Sequence, residues 1–168
     1  MQRLRVTRYD PARRDAEGRF LDDTWTSVSD IGKRFGGQVL TAEEYLRVEA
    51  AYVETILGLL SAAGVPELVV SGVEQHDLPV GWTLPDDEEL RRELDRVADG
   101  VVVSGAVLAR VIRLALREHL WCKLSAANGA YVHFGYDYYT YVGVPGTGVA
   151  AARQGAIFVE PDFPSPHP

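Results

Sequence analysis

Residues 121–142 constrain the fold more than any other segment, because five of the eight tyrosines fall there within a strand-like alternation. Side chains of a strand point alternately to its two faces, which places Cys122 and Leu124 on one face and Trp121 and Lys123 on the other. The segment therefore predicts a β-hairpin that has one apolar face and one aromatic face.

The length of the hairpin loop decides which residues lie opposite each other. A two-residue loop would place Leu124 against His133 and mix the two faces. A three-residue loop that ends at Gly129 places Leu124 against Val132 instead, and Gly129 then takes the left-handed conformation that such a loop requires. We therefore predict the longer loop.

A return strand that continues without a break keeps its two faces distinct as far as Val142. The apolar face then includes Tyr136, Tyr138 and Val142, whereas a bulge at Gly135 would exchange the faces beyond it. The residues of the opposite face are Trp121, Lys123, Tyr131, His133, Asp137, Tyr139 and Tyr141. An aromatic face with few flexible charges is typical of a protein-binding surface, although tyrosines also suit strands in general.

Three helical patterns lie outside the hairpin. Thr-Ala-Glu-Glu at residues 41–44 is a capping box, and the apolar spacing behind it predicts a helix over residues 42–63. Thr83 or Asp86 begins an acidic helix that Gly100 ends. Ser104 caps a third helix, which is mostly buried. Its solvent-exposed stripe consists of Arg110, Arg113 and Arg117.

Strand patterns at residues 4–9, 67–74 and 156–160 do not alternate regularly with the helices. This order predicts an α+β fold, in which a mainly antiparallel sheet packs against two to three helices in a single layer. Residues 143–148 predict a loop and residues 149–154 a short helix. We expect residues 1–160 to form one domain and the proline-rich residues 161–168 to form an extended, loosely held tail.

The charge of the chain is negative and unevenly distributed. The formal net charge is −7, and residues 74–99 hold nine acids and three arginines. A negative chain disfavours nucleic acid as a partner. Asp86, Asp87, Glu88 and Glu89 have two interpretations: they complement the dipole of a helix, or they form a patch that attracts a basic protein.

Catalytic, metal and cofactor sites have little support in the sequence. The single cysteine excludes an internal disulfide, no Cys/His cluster has zinc-ligand spacing, and the glycine-rich residues 143–148 lack the lysine of a phosphate loop. His133 and Asp137 are the one acid–base pair, but four residues along a regular strand span about 13 Å. We predict no cofactor, no metal and no catalytic residue. The alternative is a small enzyme or ligand-binding domain with a pocket at His133 and Asp137.

The expected location is the cytoplasm, without membrane contact. No apolar run approaches membrane-spanning length, and the first residues lack the apolar segment of a secretory signal.

The motif Trp-Cys-Lys-Leu at residues 121–124, followed by His-Phe-Gly-Tyr-Asp-Tyr-Tyr at residues 133–139, resembles an uncharacterised family of small bacterial cytoplasmic proteins. Residues 8–11 and 25–31 are similar to the same family. Proteins of this size and character are also similar to immunity proteins, which neutralise bacterial toxins. The resemblance implies a non-enzymatic domain with a protein partner, a basic toxin above all, and it carries no functional residues. A homodimer that hides the tyrosines in its own interface is the remaining alternative.

Overall fold

This computed structural model describes residues 1–76, 84–146 and 152–167. Many of these residues belong to helices and strands. The helices are α1 (Ala42–Ala62), α2 (Asp87–Leu94) and α3 (Gly105–Leu116). The strands are β1 (Gln2–Thr7), β2 (Arg34–Phe35), β3 (Gln38–Val39), β4 (Glu67–Gln75), β5 (Val102–Ser104), β6 (Leu120–Ser125), β7 (Tyr131–Phe134), β8 (Thr140–Val144), β9 (Ala152–Gln154) and β10 (Ile157–Pro161).

Eight of these strands form one antiparallel sheet in the order β5-β4-β6-β7-β8-β1-β10-β9, and β2 pairs separately with β3. The strand β1 lies inside the sheet between β8 and β10, so residues from near both ends of the sequence pair with each other. This architecture confirms the predicted α+β class, with a mainly antiparallel sheet packed against helices.

The core lies between the sheet and the helices. Val70, Leu124, Val132, Val142 and Leu4 stand opposite one another on successive strands, and all five are fully buried. Helix α1 packs on β1, β8 and β10, and α3 packs on β4, β5 and β6. Since burying each such aliphatic side chain stabilises the fold by roughly 1.5–3 kcal/mol, this row fixes which face of the sheet the helices cover.

Helix α1 begins and ends where its sequence signals predict. The Thr41 hydroxyl accepts a hydrogen bond of 3.1 Å from the backbone N–H of Glu44. The Glu44 carboxylate pairs with Arg47, 2.8 Å away, instead of turning back to the cap. At the other end Gly64 takes a φ of +68°, which lets the chain leave the helix.

The hairpin of β6 and β7 has the predicted register. Leu124 pairs with Val132, and the N–H of Ala126 donates to the carbonyl of Ala130 at 2.8 Å. Gly129 has a φ of +86°. The three-residue loop is therefore confirmed.

The prediction of an unbroken return strand from Ala130 to Val142 is wrong. Strand β7 ends at Phe134, and the chain turns over residues 135–139 before it returns as β8. The physical reason is backbone conformation, because Asp137 and Tyr138 have φ values of 53° and 60°, which a strand does not accommodate. As a result Tyr136 is exposed rather than part of the core. Tyr138 and Val142 are buried, as predicted.

Two further predictions near the C-terminus need correction. Gly143 and Val144 belong to β8, so the loop expected at residues 143–148 does not include them. Ala152–Gln154 is strand β9, not the end of a short helix. Residues 147–151 lie outside the described residues, and so does Thr83, the alternative start of the acidic helix.

Arg117 joins the three helices and is buried, so its predicted place on a solvent-exposed stripe is wrong. Its guanidinium donates to Glu49 on α1 at 2.7 and 2.9 Å and to Asp87 on α2 at 2.6 Å. Burial opposes the charge, but the hydrogen bonds to these carboxylates keep the pKa of Arg117 above its usual value. The other two arginines of the stripe also pair with acids: Arg113 with Asp86, the residue before α2, at 2.9 Å, and Arg110 with Glu93 of α2 at 2.7 Å.

Candidate functional site

The face of the sheet opposite the helices carries a row of polar and aromatic side chains. Lys123, His133, Tyr141, Arg5 and Glu160 stand opposite one another on β6, β7, β8, β1 and β10. The first three are predicted binding residues, and they share one face. Arg5 and Glu160 were not among the predicted residues, because they belong to β1 and β10, which are far from the hairpin in the sequence.

Tyr131 and His133 form a stacked pair on β7. Their ring centroids are 4.5 Å apart with an interplanar angle of 25°. The Tyr131 ring lies across Gly143 of β8, where an added Cβ would come within 2.1 Å of Tyr131 Cε1. Burial, with smaller contributions from the charges of Lys123 and His167, lowers the pKa of His133 from 6.5 to about 4. His133 is therefore uncharged at neutral pH and is a weak base.

The N-terminal residues cover Tyr139. The Arg5 guanidinium lies 5.0 Å from the centre of the Tyr139 ring, and the Tyr9 ring lies 5.2 Å from it. Arg5 and Arg14 both donate to the Glu160 carboxylate, at 2.9 and 2.7 Å. Burial alone would raise the pKa of Glu160, but these two arginines bring it below its usual value. Tyr139 is consequently half-buried within the chain.

The C-terminal tail also lies on this face. Residues 162–167 contact Arg5 on β1, His133 on β7 and Trp121 on β6. The loosely held tail expected from the sequence instead makes specific side-chain contacts. The tail and the N-terminal residues together cover a large part of the predicted aromatic surface.

A second surface is a cleft of about 530 Å³ at the end of the sheet. It lies between residues 26–28, the end of α3 and the turn at residues 135–139. Trp121 and Tyr136 line it, so the cleft brings together an aromatic residue predicted for binding and one predicted for the core.

Tyr138 fixes the turn to the helices. Its hydroxyl donates to the carbonyl of Leu116 at 2.8 Å, and its own carbonyl accepts from the Tyr52 hydroxyl at 2.6 Å. Its ring packs edge-on against Trp25 at 5.3 Å. The side chain is 8% exposed, which makes it an anchor for the whole turn.

Tyr136 projects from this anchored turn into solvent. It is 87% exposed, and its carbonyl accepts from the N–H of Tyr139 at 3.0 Å. The N–H of Gly135 donates to the carbonyl of Tyr139 at 2.7 Å, which closes the turn. A large aromatic side chain is thus held in water on a fixed backbone.

The charges around the cleft are mainly negative. Glu118 and Asp137 line it, and Glu74 lines an adjoining groove that also reaches Tyr136. Arg117 borders the cleft too, but carboxylates of α1 and α2 occupy its guanidinium.

The acidic start of α2 is largely engaged within the chain. Asp86 pairs with Arg113, and the Asp87 carboxylate pairs with Arg117 and accepts from the N–H of Leu84 at 2.6 Å. Glu88 pairs with Arg92, and Glu89 lies 3.5 Å from Arg110. Asp87 is buried, so Asp86, Glu88 and Glu89 are the acids of this stretch that a partner could reach.

The structure separates His133 from Asp137. His133 lies in β7 beneath the tail, whereas Asp137 lies in the exposed turn and lines the cleft. The pocket of the alternative hypothesis therefore does not bring the pair together. Cys122 is buried, and burial raises the pKa of its thiol to about 12, which makes it unreactive.

Among the residues that the structure describes, no three His, Cys, Asp or Glu side chains are arranged to hold a metal ion. Across the same residues, no helix has both the length and the apolar character to cross a membrane.

No protein-family model, curated protein or solved structure matches this chain. The family resemblance stays a prediction.

Proposed function

We propose that this chain is a non-enzymatic protein-binding domain, and specifically an immunity protein that neutralises a basic bacterial toxin by covering it. The observation that carries the proposal is the presentation of Tyr136 on an anchored turn beside an acidic cleft. We propose Tyr136 as the central binding residue instead of Tyr139 and Tyr141, because these two side chains are half-buried.

An exposed tyrosine on a fixed backbone is suited to binding a protein. Tyrosine offers a large amphipathic contact area and loses little conformational entropy when it binds, which is why it is enriched among the residues that dominate interface energies. Left-handed conformations cost roughly 1–2 kcal/mol per residue outside glycine. Asp137 and Tyr138 both adopt one, and strain of this kind is concentrated at functional sites.

The charge of the surface favours a basic partner. The chain has a formal net charge of −7, and Glu118 and Asp137 line the cleft next to Tyr136. Opposite charge on the partner would accelerate association and reject acidic competitors. A covering inhibitor needs no catalytic group, which agrees with the separation of His133 from Asp137.

Tyr136→Ala tests the proposal. The partner is isolated from the native cell by affinity capture on the wild-type chain, purified, and titrated by calorimetry with each variant. We expect Tyr136→Ala to weaken binding by about 2 kcal/mol, which is roughly 30-fold, because the side chain would be central to the interface. The fold should be unchanged, since the side chain is 87% exposed.

Leu21→Ala is the matched control, because Leu21 is also a large exposed side chain, at 63%, and does not line the cleft. It should bind like the wild type. Neutralisation of the partner's toxic activity by the wild type, and weaker neutralisation by Tyr136→Ala, completes the expected result. A partner that binds Tyr136→Ala as tightly as the wild type, or whose activity the chain leaves intact, contradicts the proposal.

A further inference from the structure

Residues 162–167 lie on the aromatic face outside any helix or strand, with bends at Asp162 and Pro166. Phe163, Ser165 and His167 are partly buried, whereas Pro164 and Pro166 are exposed. Alternation of this kind is what an extended chain shows when one of its edges rests on a surface. The prolines have no N–H group, so the sheet cannot hold this segment through a regular ladder of backbone hydrogen bonds.

The first two sheet-facing residues of the tail contact different strands. The Arg5 guanidinium on β1 lies 3.6 Å from the centre of the Phe163 ring, within the range of a cation–π contact. Ser165 Oγ lies 2.9 Å from Nδ1 of His133 on β7. The tail therefore crosses the strands of the sheet instead of adding to its edge.

The third sheet-facing residue reaches β6. The His167 ring packs edge-on against Trp121 with centroids 5.5 Å apart. Beyond this contact a groove of about 390 Å³, lined by Trp121, His167, Glu74 and Tyr136, continues toward the cleft. His167 therefore lines an open groove next to Trp121.

The chemistry of this contact is that of proline-rich peptide recognition. Segments with prolines at alternate or nearby positions populate extended conformations before they bind, and aromatic surfaces recognise them at low entropic cost. Here a Phe-Pro-Ser-Pro-His segment meets Trp121, the His133 imidazole and the Arg5 guanidinium. At the start of this segment, the N–H of Asp162 donates to the carbonyl of Arg3 at 2.8 Å.

We propose that the aromatic face is a recognition surface for extended, proline-rich segments of a protein partner, and that residues 162–167 occupy it within the chain until such a segment displaces them. The surface shares Trp121 with the Tyr136 cleft, but Arg5 and His133 lie outside that cleft, so the inference goes beyond the proposed function. An identical tail from a second copy would make the same contacts and lose translational freedom, so it has no advantage over the chain's own tail. The occupant is therefore a segment of a different protein.

The test uses the full chain and a fluorescent octapeptide with the sequence of residues 161–168. In the released variant, Phe163, Ser165 and His167 are all changed to glycine. We expect the released variant to bind the octapeptide at least about tenfold more tightly than the wild type, because a tethered competitor at high effective concentration has been removed. Fluorescence anisotropy measures both affinities.

Asp162→Asn is the matched control within the tail, because Asp162 is exposed and asparagine tolerates its φ of 66°. It should bind the octapeptide like the wild type. An octapeptide with glycine in place of its second and third prolines should bind the released variant more weakly, because it loses its preference for an extended conformation.

A further substitution of the surface completes the experiment. Trp121→Ala in the released variant should remove the gain in affinity, with thermal melting of the same sample to establish that it is folded. Equal affinity of the wild type and the released variant overturns the proposal, and so does a gain that survives Trp121→Ala. A wild-type dimer with exchanged tails, detected by light scattering, would also overturn the choice of a different protein as occupant.

Discussion

At the scale of single residues, Gly143 shows how closely the aromatic face is packed. Gly143 stands opposite Tyr131, and the Tyr131 ring fills the space where a side chain of residue 143 would lie. The glycine is required for space rather than for backbone conformation, because its φ is not in the left-handed region. The Tyr131 ring in turn stacks on His133, so the absence of a side chain at Gly143 allows the positions of both rings.

Gly143→Ala is expected to destabilise the fold by roughly 1–3 kcal/mol, the usual effect of overpacking, because its Cβ would displace the Tyr131 ring. In a Tyr131→Ala background the same substitution should be neutral or slightly stabilising, because the obstructing ring is gone and alanine restricts the unfolded chain. Urea denaturation of the four proteins in this double-mutant cycle measures both effects. Equal costs in the two backgrounds would show that the ring contact is unimportant.

At the scale of secondary-structure elements, the buried Arg117 links α2 to both α1 and α3. Arg117 is the residue that follows α3, and its side chain bonds Glu49 of α1 and Asp87 of α2. Both acids are almost fully buried. Removal of one partner from a buried ion pair leaves an uncompensated charge, and that costs far more than the pair itself contributes.

Arg117→Met should therefore lower the free energy of unfolding by about 3–5 kcal/mol, because Asp87 loses its cation and Glu49 keeps only the longer contact with Arg113, at 3.8 Å. Arg47→Met is the comparison, since Arg47 pairs with Glu44 on the exposed side of α1. Its expected cost is at most about 1 kcal/mol. Chemical denaturation of both variants compares the two positions, and similar costs would contradict the role given to Arg117.

At the scale of the whole molecule, buried histidines make stability depend on pH. Burial lowers the pKa of His119 and of His133, the latter to about 4, and the charges of Lys123 and His167 also act on His133. The folded chain therefore favours the neutral imidazole. The resulting stabilisation is complete above the ordinary histidine pKa of 6.5, and it is lost as the pH falls toward the folded value.

We expect the urea midpoint of the wild type to fall between pH 6.5 and pH 4, and to fall less in His133→Gln, which keeps a polar group next to Ser165 without titrating. Carboxylates with lowered pKa values, such as Glu160, are present in both proteins, and so is His119. The difference between the two curves therefore isolates His133. Parallel curves would contradict the assignment.

The parts of the fold that depend on local signals could be predicted. The Thr41 cap, Gly64 and the apolar spacing between them define α1. Matching of Leu124 with Val132 fixed the register of the hairpin, since only one loop length keeps the apolar side chains together. The sequence also placed Tyr131, His133 and Tyr141 correctly on one face.

The remaining parts depend on contacts between distant residues or on unusual backbone. Two successive left-handed residues that are not glycine, Asp137 and Tyr138, carry no sequence signal, so the exposure of Tyr136 was unpredictable. Arg117 looked exposed because its carboxylate partners lie 68 and 30 residues away. The residues that cover the aromatic face come from the N-terminal segment and the tail. The alternation of apolar and polar residues within the hairpin contains no information about these distant segments.

The position of β1 inside the sheet has a consequence for how the chain is made. β1 is synthesised before its neighbours β8 and β10, which begin at residues 140 and 157. Until those two strands have been synthesised, Leu4 and Val6 lack the neighbouring strands that bury them, and both edges of the nascent strand stay open to other chains. Pairing of strands that lie so far apart in the sequence is slow, so the synthesis of β8 and β10 controls when β1 enters the sheet.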